Sequence, residues 1–251
     1  MLMSIFRFEL KYLSGQLIFM GAFAVCIFLG MMAPQGSYGG GDVHKNAPYS
    51  ITVVISLISL FSVFISTLLT ANVVLKNSEH QTEALIFATS VTKTTYLTGQ
   101  FSALFLTMVF LMCSAAVGIY LGSFFMTSGG LGPKRWQYYV YHLLLFGLPN
   151  SLFGLSFLFA TALLSRNLKT VYVTGVLMYV LYMVGSVLGN SPLMASSVLK
   201  TTQNDLLPVL MDPFGLTAFF GESRWWSVAQ RNHVVFGLEG IFGWNRLLWI
   251  S

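Results

Sequence analysis

A chain of 251 residues that is 55% hydrophobic, only 8% charged and formally +5 cannot be an ordinary water-soluble domain, in which about a quarter of residues are charged. Its basic residues sit in flanks and loops without an aromatic-basic platform, so the charge balance gives no nucleic-acid face. Five stretches, residues 17–33, 51–75, 97–127, 139–164 and 171–188, contain no Asp, Glu, Lys or Arg.

A helix crosses roughly 30 Å of hydrocarbon with about 20 apolar residues, and all five stretches are long enough. Charges are costly at the bilayer centre, whereas a helix satisfies its own backbone there. The expected fold class is therefore all-α: a polytopic transmembrane helix bundle of five spans in a single domain, 1–251.

Residues 1–16, MLMSIFRFELKYLSGQ, precede the first span with a helical pattern instead of a short basic leader, so they are not a cleaved signal peptide. Ser4, Arg7, Lys11 and Ser14 form one stripe, and Ile5, Phe6, Leu10, Leu13 and Leu17 line the other side. That division predicts an N-terminal helix in the membrane interface, the competing arrangement being a plain extension of span one.

After span one comes GSYGGGDV, residues 36–43, which lacks the Gly-Lys followed by Ser or Thr of a phosphate cradle and is expected to be a flexible external loop. No other nucleotide-binding motif occurs, so any ATP hydrolysis must come from another polypeptide. Cys26 and Cys113 lie within apolar spans, where cysteine acts as a small hydrophobe, and they imply neither a disulfide framework nor a metal site. No cofactor is expected.

Between spans two and three lies a polar island, residues 76–96, KNSEHQTEALIFATSVTKTTY. Ser78 followed by Gln81 matches a capping box and predicts a helix starting at Glu79. Glu79 and Glu83 would share one face in its first turns, where the helix dipole favours negative charge, and Leu85, Ile86 and Phe87 would give it a greasy end. Either the carboxylates are merely solvated or the helix is a docking knob for a soluble partner.

Span three offers Gly118 and Gly122 in a small-xxx-small arrangement, and span four carries Pro149 and Asn150. With no charge inside the spans, these features are expected to serve packing. His142, beside Tyr138, Tyr139 and Tyr141, is expected in an aromatic belt. The segment 189–244 is too polar for a span; Asp212-Pro213 predicts a turn or helix start, and Trp225 and Trp226 suit an interface. Short external helices are expected there, forming a gate or a shielding lid. A further apolar run opens at Leu247, the start of a sixth span.

With the N-terminus inside, the inner segments carry Arg7, Lys11, Lys76, Lys93, Arg166 and Lys169, and the short outer loops carry Lys45, Lys134 and Arg135. That excess favours a cytoplasmic N-terminus, because the long outer segment, with Lys200, Arg224, Arg231 and Arg246, weighs little.

Three patches carry a family resemblance: EHQTEALIFATSVTKTTYLTGQF, LPNSLFGLSFLFATALLSRNLKTVYV, and DPFGLTAFF with NRLLWIS. Together with the N-terminal helix, they resemble the type-2 permease family of ATP-binding-cassette (ABC) transporters, most of all a bacterial subgroup fused to a zinc aminopeptidase domain. The resemblance implies that 76–96 is a cytoplasmic coupling region seated in a groove of an ATPase subunit, with Glu79, Thr82, Glu83, Ile86 and Phe87 at the contact. Arg166, Asn167 and Lys169 would form a second cytoplasmic turn. The implied partners are an ABC ATPase, a second permease unit and the lipid bilayer of a bacterial inner membrane. Family members continue through span six, so the chain is expected to be an N-terminal fragment; no HExxH is present, and His233 and Glu239 lack a second histidine for a zinc set. The implied function is export driven by a separate ATPase, the chain itself being no enzyme. The alternative is a non-transporting scaffold that anchors a partner.

Overall fold

The computed structural model describes residues 1–36, 38–79, 88, 91–125, 130–188 and 206–250, and among them every regular element is helical. In chain order these are α1 (Leu2–Ser14), α2 (Leu17–Met32) with a 3-10 turn (Ala33–Gln35), α3 (Pro48–Glu79), α4 (Lys93–Gly122) and α5 (Trp136–His142). A π turn (Leu143–Gly147) joins α5 to α6 (Leu148–Ser165), and α7 (Leu168–Leu188) follows. Four short helices complete the fold: α8 (Leu206–Met211), α9 (Leu216–Ser223), α10 (Val228–His233) and α11 (Gly240–Ile250).

Among the described residues five segments are long and apolar enough to cross a membrane: Leu17–Gln35, Pro48–Lys76, Lys93–Gly122, Trp136–Ser165 and Leu168–Val187. They correspond to the five charge-free stretches. The apolar run from Leu247 lies in α11, whose 11 residues leave it outside this set.

The second span, in α3, is the central one, with 72% of its most apolar window buried against 17% for the first and fifth. It nevertheless carries buried Ser56, Ser59, Ser62, Ser66 and Thr67. Each hydroxyl donates back into its own helix, for example Ser62 to the Ser59 carbonyl at 2.6 Å and Thr67 to the Val63 carbonyl at 2.7 Å. Their polarity is therefore satisfied locally, and their small size admits the neighbouring spans. Span one packs on span three through glycines: a Cβ on Gly118 would stand 2.5 Å from the Ile27 carbonyl oxygen, and one on Gly122 2.5 Å from that of Met31. Packing is what the Gly118–Gly122 pair does.

The helix of span four widens just before Pro149. That proline has no N–H for the carbonyl of Leu145 four residues back, and the chain accommodates the loss as a π turn over Leu143–Gly147. His142 departs from the expected aromatic belt: it is 0% exposed, its Nδ1 lies 2.7 Å from the Tyr138 carbonyl, and the exposed aromatics are Trp136 and Tyr141. Its place four residues after Tyr138, on the inner helix face, decides this.

The chain breaks at Gly15 between α1 and α2, so α1 is a separate helix and not an extension of span one. It seats Ile5 over Gly99 of α4, where a Cβ would come within 2.8 Å of Ile5 Cγ2. Leu13 is buried, while Ser4, Arg7, Lys11 and Ser14 stay exposed, as their stripe predicts. We call the end of the bundle that carries α1 its base and the opposite end its crown.

The crown differs from expectation in two ways. The loop 36–43 is tied down: Arg231 Nη1 donates to the Gly39 carbonyl at 2.7 Å, and Asn232 Nδ2 to that of Asp42 at 3.2 Å. The helices α8 to α11 also do more than lie on a surface. Phe219, Phe236 and Phe242 are at most 2% exposed and gather around Phe146 of the π turn, with ring centroids 5.9, 6.0 and 5.3 Å from it. Burial of aromatic area drives this insertion, because each ring removes a large apolar surface from solvent.

Candidate functional site at the base of the bundle

The helix of span two outruns its apolar stretch. Apolar residues end at Leu75, yet α3 continues through Lys76 to Glu79, so Ser78 lies inside a helix and does not cap a new one. The capping-box expectation is thereby corrected: an N-cap residue needs extended backbone ahead of the helix, and Ser78 follows an uninterrupted helical run. Thr82, Glu83, Ile86 and Phe87 lie outside the described residues. Glu79 closes α3.

What the extra turn places is Lys76. Its ammonium pairs with Glu9 of α1, which is 0% exposed despite its charge. The other carboxylate oxygen of Glu9 accepts from the Tyr96 hydroxyl at 3.3 Å, and Gln100 Nε2 faces it at 3.4 Å. Gln100 also reaches the Val73 carbonyl of α3 at 3.3 Å and the Tyr96 hydroxyl at 3.2 Å. The rings of Tyr12 and Phe8 cover Lys76 with centroids 4.2 and 5.3 Å from Nζ, a cation-π arrangement that offsets part of its desolvation.

Three helices thus meet in one buried polar cluster: α1 through Glu9, the end of α3 through Lys76 and Val73, and the N-terminal part of α4 through Tyr96 and Gln100. Truncating one member of such a cluster leaves an uncompensated buried charge, which costs several kcal/mol. The segment between α3 and α4 therefore leaves from and returns to one rigid anchor. Pattern reading of residues 1–16 passed over Glu9. The available signal was a lone acid opposite the Ser4, Arg7, Lys11 stripe, one turn from Leu13.

The second expected turn lies at the same end. Ala71 and Leu75 of α3 form a small core with Ala162 of α6 and Val171 of α7. Between α6 and α7, Arg166 adopts a left-handed conformation with φ 49°, closing α6 by donating its N–H to the Ala162 carbonyl. Asn167 Oδ1 accepts from Lys169 N at 2.9 Å and starts α7. The side chains of Arg166, Asn167 and Lys169 stay exposed, presenting two cations beside the base.

A second buried polar group sits toward the crown, where a charge from outside the five spans meets span four. Arg246 of α11, 4% exposed, donates from Nη1 to Asn150 Oδ1 at 2.8 Å and from Nη2 to the Phe214 carbonyl. Asn150 in turn donates to Ser59 Oγ of α3 at 2.8 Å. Gly215, at φ 70°, is required here, since the guanidinium occupies the space a Cβ would need. Asp212 accepts from the N–H groups of Phe214, Gly215 and Thr217 at 2.9, 3.0 and 2.6 Å, the turn expected at Asp212-Pro213. Comparison with protein-family models and with curated proteins finds no match to this chain.

Proposed function

We propose that the chain is the membrane-spanning permease subunit of an ABC exporter, seated in a bacterial inner membrane with its N-terminus and base in the cytoplasm. Residues 76–96 take up the movement of a separate ATPase subunit, and a second permease unit completes the path. The observation that carries this reading is the cluster of Glu9, Lys76, Tyr96 and Gln100. It holds both ends of the segment between spans two and three against α1, so a force applied to that segment reaches three helices together. The exposed turn of Arg166, Asn167 and Lys169 adds a second contact at the same end. The excess of Arg and Lys in the short segments at the base supports the orientation.

The test is ATPase recovery. An ABC ATPase should copurify with the chain from detergent extract, and the double variant Glu79→Lys, Glu83→Lys should lower the amount recovered per permease while permease abundance stays constant. Charge-assisted hydrogen bonds in a partly dehydrated groove contribute about 1.5 to 3 kcal/mol each, enough to make the loss plain. Unchanged recovery in the double variant would remove the acids from the coupling contact, and absence of any ATPase would remove the exporter reading.

A further inference from the structure

The basic stripe of α1 borders a groove. Arg7 and Lys11, four residues apart and so one turn apart on the same helix face, stand with Ser14 along its rim. Leu10, Phe19 of span one, and Thr107 and Phe110 of span three complete a cavity of about 410 Å³. That volume falls within the range of small-molecule sites, about 300–1,000 Å³. Thr107 and Phe110 lie near the middle of Lys93–Gly122, whereas Arg7 and Lys11 precede the start of span one at Leu17. The groove therefore runs from a basic end on α1 into the apolar body of the bundle.

Its polar groups divide by whether they are satisfied. Thr107 Oγ1 donates to the Ala103 carbonyl at 2.8 Å and Ser14 Oγ to the Lys11 carbonyl at 3.0 Å, so both hydroxyl protons are spent. Arg7 and Lys11 are exposed, and among the described residues no carboxylate pairs with either. Glu9, two residues from each and so on another face of the helix, is committed to Lys76. Asp42, Asp212, Glu222 and Glu239 belong to the loop and helices of the crown. Like charges one helical turn apart repel each other, and an anion lodged between them replaces that repulsion with charge-assisted hydrogen bonds.

We propose that this groove holds one anionic phospholipid of the leaflet at the base, its phosphate accepting from the Arg7 guanidinium and the Lys11 ammonium and one acyl chain lying along Leu10, Phe19 and Phe110. The two ends of the groove select that occupant: a basic rim takes a fixed negative charge, and a floor whose hydroxyls are satisfied takes a hydrocarbon tail. A zwitterionic lipid suits it less, because its own cation would face two others. Phe110 is 53% exposed, so the groove opens toward the surrounding hydrocarbon, where the second chain of the lipid stays. A lipid so placed ties α1 to spans one and three. The site stands independently of the coupling role at residues 76–96.

The experiment counts lipids on the purified, delipidated chain by native mass spectrometry from neutral detergent, during titration with dioleoyl phosphatidylglycerol, dioleoyl phosphatidylcholine, oleate or glycerophosphoglycerol. Phosphatidylglycerol should fill one saturable site, and the other three should bind at least about tenfold more weakly, for want of net charge, of the phosphate or of the chains. The double variant Arg7→Gln, Lys11→Gln should weaken phosphatidylglycerol roughly thirtyfold, each cation near an anionic lipid being worth about fivefold. Lys134→Gln with Arg135→Gln removes the same charge from the crown and should leave binding within about twofold. Ser14→Trp, which narrows the groove and keeps both cations, should weaken binding at least about tenfold. Equal binding of phosphatidylcholine, of oleate or of the chain-free head group, or an equal loss in the crown variant, would each overturn the proposal, as would unaltered binding in the α1 double variant. Should that variant fail to fold, the four-ligand comparison and Ser14→Trp decide it.

Discussion

Glu9 and Lys76, 67 positions apart in the chain, form an ion pair in which the Glu9 side chain is wholly buried and the Lys76 side chain is 12% exposed. The asymmetry sets the first prediction. Lys76→Ala strands a buried anion, whereas Glu9→Ala leaves a cation with some access to water and with the faces of Tyr12 and Phe8. Lys76→Ala should therefore be the more destabilising, by about 3 to 5 kcal/mol. The double variant should lose less than the sum of the two. Thermal unfolding in detergent, run as a double-mutant cycle, checks both statements, and additive losses would show that the pair acts as two separate charges.

A second prediction separates close packing from helix propensity in the same pair of spans. Gly118→Ala must push a methyl group onto the Ile27 backbone and should cost about 1 to 3 kcal/mol. Gly21, with nothing within 4 Å of the position of its Cβ, should accept alanine without loss or with a gain of up to about 1 kcal/mol. Opposite shifts in unfolding midpoint are expected, and equal ones would contradict the glycine-mediated contact of spans one and three.

Arg166 holds a left-handed backbone that glycine adopts freely, so Arg166→Gly should stabilise the isolated chain by up to about 1 kcal/mol. If the exposed guanidinium also meets an ATPase, the same variant should lower ATPase recovery. Higher stability with unchanged recovery would confine Arg166 to closing its helix.

Topology can be read by chemistry from outside the cell. Gly41 is exposed in the crown loop with open space around it, and it is preferable to Gly40, whose φ of 111° no cysteine would tolerate easily. Gly41→Cys should react with an impermeant maleimide in intact cells, and Thr82→Cys only after permeabilisation. The reverse result would invert the proposed orientation.

The spans were legible because a bilayer punishes charge, and that penalty acts on every residue of a stretch at once. The charge-free runs accordingly match the five long helices to within a few residues at most ends. Single residues were harder to read. Both Ser78 and Ser227 are followed three residues later by Gln; Ser227 forms a capping box with Gln230, whereas Ser78 lies within α3. Ser227 leaves an irregular stretch and can adopt extended backbone, whereas Ser78 is already committed by the helix preceding it. Glu9 and Arg246 were missed for a different reason. Each is made tolerable in the interior by partners far along the chain, Lys76 for one and Asn150 and Phe214 for the other, and local periodicity carries no trace of such pairs. The aromatic plug of the crown was hidden likewise, since Phe219, Phe236 and Phe242 are scattered through a polar segment and converge only around Phe146.

The hydroxyl-rich face of α3 bears on how the bundle can rearrange. Ser62, Ser66 and Thr67 donate to carbonyls of their own helix, and Thr70 Oγ1 has no partner, so among the described residues this stretch makes no side-chain hydrogen bond across to another span. Its polar links to other helices lie on either side of that stretch: Asn150 to Ser59 near the middle of the span, and the Glu9, Lys76, Val73 group at the base. Rolling of the half of span two that holds Ser62 to Thr70 against spans four and five would then exchange one set of van der Waals contacts for another. The lower half of the central helix is thus a smooth shaft between two bearings, one at mid-span on Ser59 and one at the base on Lys76.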